Sequence, residues 1–175
     1  MKIDRGRRLT RRMAIELLLA GVGCSGPIRD TRPTATPIVE NLNGAPATIL
    51  SGLVSAHNQE RNAVGLPRLV ENAELESAAR RHARDMAAQG KMSHRGSDHS
   101  SPFQRMESEG YRFQRAAENI ALGEFTLKSL MSAWMTSPPH RRNILGQYTE
   151  IGTAYATAED GRTYWCVTFG TPLKV

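Results

Sequence analysis

Cysteine is almost missing from this chain. Of 175 residues only Cys24 and Cys166 are cysteines. Cys24 lies in the N-terminal segment, so Cys166 stands alone in the body of the chain and an intramolecular disulfide framework is excluded. Long hydrophobic runs are missing too. No stretch approaches the ~18 apolar residues of a spanning helix, which argues against an integral membrane protein. Aromatic residues make up 6% of the chain, and no lysine- or arginine-rich block interleaves with them. The net charge of +6 is carried mostly by residues 1–24, where Lys2, Arg5, Arg7, Arg8, Arg11 and Arg12 face only Asp4 and Glu16. The remainder is nearly balanced, which argues against nucleic acid as a partner. What is present is a 39% apolar share in a length suited to one well-filled core.

The N-terminus reads as an address. Residues 1–12 are basic, Met13 to Gly23 is a short, mostly apolar run, and Cys24 follows, the plan of an export signal. Cys24 after Gly-Val-Gly resembles a bacterial lipoprotein cleavage site, and Thr10-Arg11-Arg12 resembles a twin-arginine signal. Glu16 interrupts the run, and Gly21 stands where a leucine is usual. The expectation is an extracytoplasmic protein, lipidated at Cys24 and held at the cell envelope, or otherwise secreted. Residues 25–47 hold Pro27, Pro33, Pro37 and Pro46 and little that is bulky, so they read as a flexible tether. The folded domain is expected over 48–175.

Within the domain, apolar residues at helical spacing predict a helix from Thr48 through His57 to Arg61 and a second from Asn72 to Gln89, closed by Gly90. Leu75, Ala78, Ala79, His82, Ala83 and Met86 form the buried stripe of the second, with His82 a packed, hydrogen-bonded side chain. Met92 to Ser100 is a polar loop carrying His94, Asp98 and His99. Ser101-Pro-Phe-Gln104 has the form of a capping box opening a short helix. Glu118-Asn119 reads as irregular or briefly extended. Thr126 caps a helix buried through Leu127, Leu130, Met131 and Trp134, which Pro138 and Pro139 stop. His140 then lies in a turn running through Asn143. Glu150–Thr157 and Arg162–Phe169 around Asp160-Gly161 predict a hairpin, with Cys166 a small apolar filler. Helices first and strands last give an α+β domain, its helices stacked on a small antiparallel sheet.

Three separated residues invite joint consideration: His94 in a loop, Glu118 in an extended stretch, His140 after a helix stop. Two imidazoles and a carboxylate form a mixed N/O metal set with an open position. The same trio suits general acid/base chemistry.

The chain resembles a known family. His57-Asn-Gln-Glu-Arg61, Gly65-Leu-Pro-Arg-Leu69, Met92-Ser-His94, Gly110-Tyr111, Glu118-Asn-Ile-Ala121, Trp134 to Leu145 and Ile151-Gly152 occur in the order seen in the CAP superfamily, particularly its bacterial branch. That superfamily takes in cysteine-rich secretory proteins, antigen 5 and pathogenesis-related 1 proteins, and its shared unit is the SCP domain. The resemblance covers about residues 50–170. It implies an α-β-α sandwich with the sheet between helical layers, and a cleft lined by His94, Glu118 and His140. Ser137 stands where animal and plant members usually have a second glutamate, so this cleft has one carboxylate fewer. Asp98 or His99 is a candidate to compensate. His57, Asn58, Arg61, Asn119, Trp134 and Asn143 are read as structural.

Three functions fit these residues. The favoured one is a non-enzymatic cleft module that binds a small molecule, lipid or peptide near a divalent cation, Zn2+ first, with no organic cofactor. The second is a metal-assisted hydrolase of peptide or envelope material, with His140 as base or ligand and Glu118 as its partner. Neither Ser93 nor Ser137 sits in a nucleophile elbow. The third is an envelope-tethered interaction module with an inactive cleft.

Overall fold

The structure is a computed structural model and describes residues 46–174. The expectations for the export signal, for Cys24 and for the tether up to residue 45 lie outside those residues. Helix α1 spans Pro46–Asn62, beginning two residues before the predicted cap. Strand β1, Val70–Glu71, leads into α2, Ala73–Gln89. Both ends of α2 follow from local chemistry. The Asn72 side chain accepts the Leu75 amide, and Gly90 closes the helix at φ 60°, where a side chain would be strained. Helix α3, Pro102–Ser108, carries the full Ser101–Gln104 capping box.

Strand β2 spans Phe113–Leu122. The Glu118-Asn119 stretch, expected to be irregular, is therefore the middle of a ten-residue strand, aligned with Thr168 and Val167 of the last strand. Helix α4, Leu127–Thr136, starts at the Thr126 cap. Pro138 and Pro139 end it but also begin α5, Pro138–Ile144, because proline is harmless in a first turn whose amides have no helical partner. His140 thus rides on a helix rather than in a turn. Strands β3, Glu150–Thr157, and β4, Thr163–Pro172, complete the hairpin.

The sheet order is β1-β3-β4-β2. The three long strands are antiparallel, and the two-residue β1, which the sequence pattern did not reveal, joins β3 in parallel. Alternation along β4 sorts the core into two layers. Tyr164 and Cys166 face Ala79, Ala83 and Met86 of α2, with Ile120, Ala154 and Ala156 beside them. Trp165, Val167 and Phe169 face Leu53 and Val54 of α1, Leu130, Met131 and Trp134 of α4, and Ile144 of α5. The result is the α-β-α sandwich. Gly152 lets α2 lie on the sheet, for a Cβ there would stand 2.2 Å from the Leu75 carbonyl carbon and the Glu76 amide.

Candidate functional site

The site forms at β2, the strand that closes one edge of the sheet. Successive strand residues point to opposite faces, so Glu118 and Asn119 serve different layers. Glu118 faces the α2 side and is 6% exposed. Its Oε1 accepts a 2.8 Å hydrogen bond from His94 Nδ1, and its Oε2 accepts one of 2.8 Å from Arg105 Nη2. His82 Nε2 lies 3.8 Å from Oε1, and the Cys166 thiol donates to Oε2 at 3.5 Å. Burial pushes the Glu118 carboxyl upward. The hydrogen bond from His94 and the fields of His82, Arg105 and His94 outweigh that and hold it below the usual carboxylate range.

Arg105 is the residue sequence reasoning missed. It sits in α3 beside the capping box and reads as a surface cation, yet it is 2% exposed. Besides Glu118 it donates to the His94 carbonyl at 3.0 Å and the Ser100 carbonyl at 3.0 Å, so it ties the His94 loop to β2. No spacing signal marks it, because its partner lies thirteen residues away on a different element. His82 is fully buried and donates to the Ser93 carbonyl at 2.7 Å. Asp98 turns away, to Arg81 at 2.9 Å and the Ser100 amide at 2.9 Å. The Ser100 contacts, then Arg81, lower its carboxyl to about 2. His99 is exposed at φ 65° and makes no described bond to Glu118 or His140. Neither residue joins the cleft in place of the missing carboxylate.

Asn119 serves the other layer. Its Nδ2 donates to the His140 carbonyl at 3.1 Å, while Asn143 Nδ2 donates to Asn119 Oδ1 at 2.8 Å and to the Glu118 carbonyl at 3.2 Å. These bonds pin α5 to β2. Trp134, 1% exposed, donates from Nε1 to the Ile120 carbonyl at 3.3 Å. The far end of α5 is held by Arg61, which reaches the carbonyls of Ile144, Gly146 and Tyr148 at 2.9, 2.7 and 3.1 Å, and Pro67 at 2.9 Å. Asn58 exchanges two bonds with the Leu69 backbone, and His57 donates to the Leu53 carbonyl at 2.8 Å.

His94 and His140 therefore approach β2 from opposite layers. The His94 side chain is 54% exposed. His140 Nδ1 pairs with Ser137 Oγ at 2.9 Å, and burial, then the charge of His94, lowers its pKa from the ordinary value. The carboxylate belongs to His94, not to His140, so the expected His140–Glu118 partnership is not the one made. Among the described residues no group of three or more His, Cys, Asp and Glu side chains is arranged to hold a metal ion. Both oxygens of Glu118 accept bonds, one from the His94 ring and one from a buried guanidinium, an arrangement in which the carboxylate orients the imidazole.

Comparison with known proteins agrees with this architecture. Among curated proteins, YkwD of Bacillus subtilis (strain 168) is 33% identical over 127 residues, 70% of this chain and 49% of that protein. The chain thus spans about half the length of that relative. Among solved structures, an outer surface protein from Borrelia burgdorferi superposes with a TM-score of 0.67 at 23% identity, over 72% of this chain and 94% of that one. An extracellular protein containing an SCP domain from Bacillus anthracis superposes at 0.64 and 24% identity, over 71% of this chain and 41% of that one. Among the described residues no helix is long and apolar enough to cross a membrane. Residues 54–169 match the model of the cysteine-rich secretory protein family, CAP, and the chain belongs to that family.

Proposed function

We propose that this CAP domain is an extracytoplasmic binding module whose cleft presents His94 and His140 to a divalent cation, Zn2+ first, beside a small or extended ligand. One observation carries the reading. Nδ1 of each imidazole is taken by the protein itself, by Glu118 for His94 and Ser137 for His140, which leaves both Nε2 atoms for an outside ligand. Since the Glu118 carboxylate can only accept, His94 Nδ1 is the donor of that bond, and Nε2 is the ring nitrogen left for an outside ligand. Burial favours the neutral form of His140, the form that ligates. Two imidazoles fit a cation better than the full trio with Glu118, and water or the ligand would complete the coordination. The N-terminal pattern ending at Cys24 supports export and lipid attachment. The outer-surface and extracellular descriptions of two structural relatives support the same placement.

Calorimetric titration of Zn2+ into the parent and into His94→Ala/His140→Ala tests the proposal. A binding heat lost in the double variant is expected, and equal or absent heats in both would sink it. A hydrolase reading keeps one supporting observation, the buried carboxylate that orients His94. It transfers the base from His140 to His94, and requires that His94→Ala abolish a measured hydrolysis while the fold is retained.

A further inference from the structure

The edge of the sheet farthest from the histidines is only partly covered. Strand β1 pairs with β3 at Glu150 and Ile151 alone, whereas β3 continues to Thr157. The bonds from the Val70 amide to the Thr149 carbonyl and from the Asn72 amide to the Ile151 carbonyl fix which residues turn toward that side. Alternate residues share a side, so Thr153, Tyr155 and Thr157 turn their N–H and C=O groups there, Thr153 from a buried position at the slot, Tyr155 half-buried and Thr157 exposed. Among the described residues no backbone group bonds to them from beyond the sheet. Exposed edges are usually blunted by lysine, proline or a bulge. The run Gly152-Thr-Ala-Tyr-Ala-Thr157 has no charge and no proline, and its pairing with β4 shows no register shift.

A slot of about 330 Å³ opens at this edge. Ile151, Gly152 and Thr153 form its base, with Leu50 and Ser51 of α1 on one side and Glu76 of α2 on the other. Glu71 of β1 closes an end. Among the described residues, Glu71 and Glu76 are the only ionisable ones in that lining, and Glu76 also pairs with Arg80 along the helix.

We propose that this slot is a β-augmentation site, in which an extended peptide with basic side chains pairs with β3 where β1 ends. Alternating amide and carbonyl groups at two-residue spacing are matched by another extended backbone. The carboxylates select cationic side chains. The volume is near the lower bound of ligand sites, ~300 Å³, which suits a few residues of main chain. Strand β1 shows that this edge accepts a strand.

The test is titration of the peptide Ac-Lys-Thr-Lys-Val-Lys-NH2 into the 15N-labelled full chain. Saturable shifts and slowed amide exchange are expected at Thr153, Tyr155 and Thr157. Binding should weaken at least about ten-fold when alternate peptide nitrogens are methylated, and several-fold in Glu71→Gln. Equal binding of the methylated peptide, or unmoved amides at those three residues, would overturn the proposal. So would amides already protected without peptide, by residues 1–45 or by a second copy; truncation and dilution would tell those two apart.

Discussion

Oε2 of Glu118 accepts a 2.8 Å hydrogen bond from the guanidinium of Arg105, and both side chains are almost wholly buried. Such a pair is far costlier to break than to lack. Glu118→Gln leaves Arg105 charged and uncompensated in the interior, so a loss of about 3–5 kcal/mol is expected by urea unfolding. The double variant Glu118→Gln/Arg105→Met removes the stranded charge and should recover much of that loss, while His94 stays without its carboxylate. Additive losses in the double variant would show that the two residues do not act as a pair.

The same residues explain how much of the site could be read beforehand. Helix α2 was legible because Asn72 and Gly90 act locally, and the hairpin because Asp160-Gly161 interrupts two apolar runs. Strand β2 was not, since Glu118 and Asn119 put two buried polar groups in its centre and break the alternation that identifies a strand. Helix α5 was hidden by its prolines, which read equally well as a stop. His94 and His140 carried the resemblance to the family. Arg105 had no such signal, because only the folded sheet brings α3 beside β2.

His57 makes stability depend on pH. It is fully buried between the rings of Trp134 and Phe169. Burial lowers its pKa from 6.5 to about 4, against the opposing bond to the Leu53 carbonyl and with the charge of Arg61 adding to the fall. The unfolded chain takes a proton near pH 6.5 that the folded chain refuses. Stability is therefore intact above 6.5 and declines as pH falls toward 4, by about 3 kcal/mol in all. Urea midpoints between pH 7 and 4.5 should show this decline, and His57→Leu should flatten it. His82, also lowered by burial, will keep some slope. An unchanged slope in His57→Leu would contradict the assignment.

Arg61 holds the end of α5 from inside the core, bonding the carbonyl of its last residue, Ile144, and two beyond it, Gly146 and Tyr148. Removing it in Arg61→Met strands those acceptors, and each bond to a charged group contributes about 1.5–3 kcal/mol. The expected loss exceeds ~3 kcal/mol. Arg61→Lys should restore only a minor part, since one ammonium cannot span the planar fork. Because α5 also carries His140, the ring resonances of His140 should move in Arg61→Lys even where the fold persists. A lysine variant with parental stability and unmoved resonances would count against this role.

Ser137 occupies the N-cap of α5 but makes no capping bond through its side chain. Pro139 at the second position has no N–H to offer, and the hydroxyl does not take the amide of His140 at the third position either; it pairs with the ring Nδ1 of that residue instead. Ser137→Ala should therefore cost less than the ~1 kcal/mol usual for losing a cap, while releasing the imidazole from its fixed orientation. Ser137→Asp places an anion where the hydroxyl was and favours the imidazolium. In the parent, burial and His94 lower the pKa of His140 below 6.5, so its contribution to stability is intact above 6.5 and lost as pH falls. In the aspartate variant the pKa should rise, and if it passes 6.5 the sign reverses, with extra stability on the acid side. NMR titration of the His140 ring protons in the three proteins measures this directly. Equal pKa values in parent and Ser137→Asp would mean that residue 137 does not face the imidazole in solution. A rise in the aspartate variant would show that residue 137 faces this ring, whose neutral form burial and His94 favour in the parent.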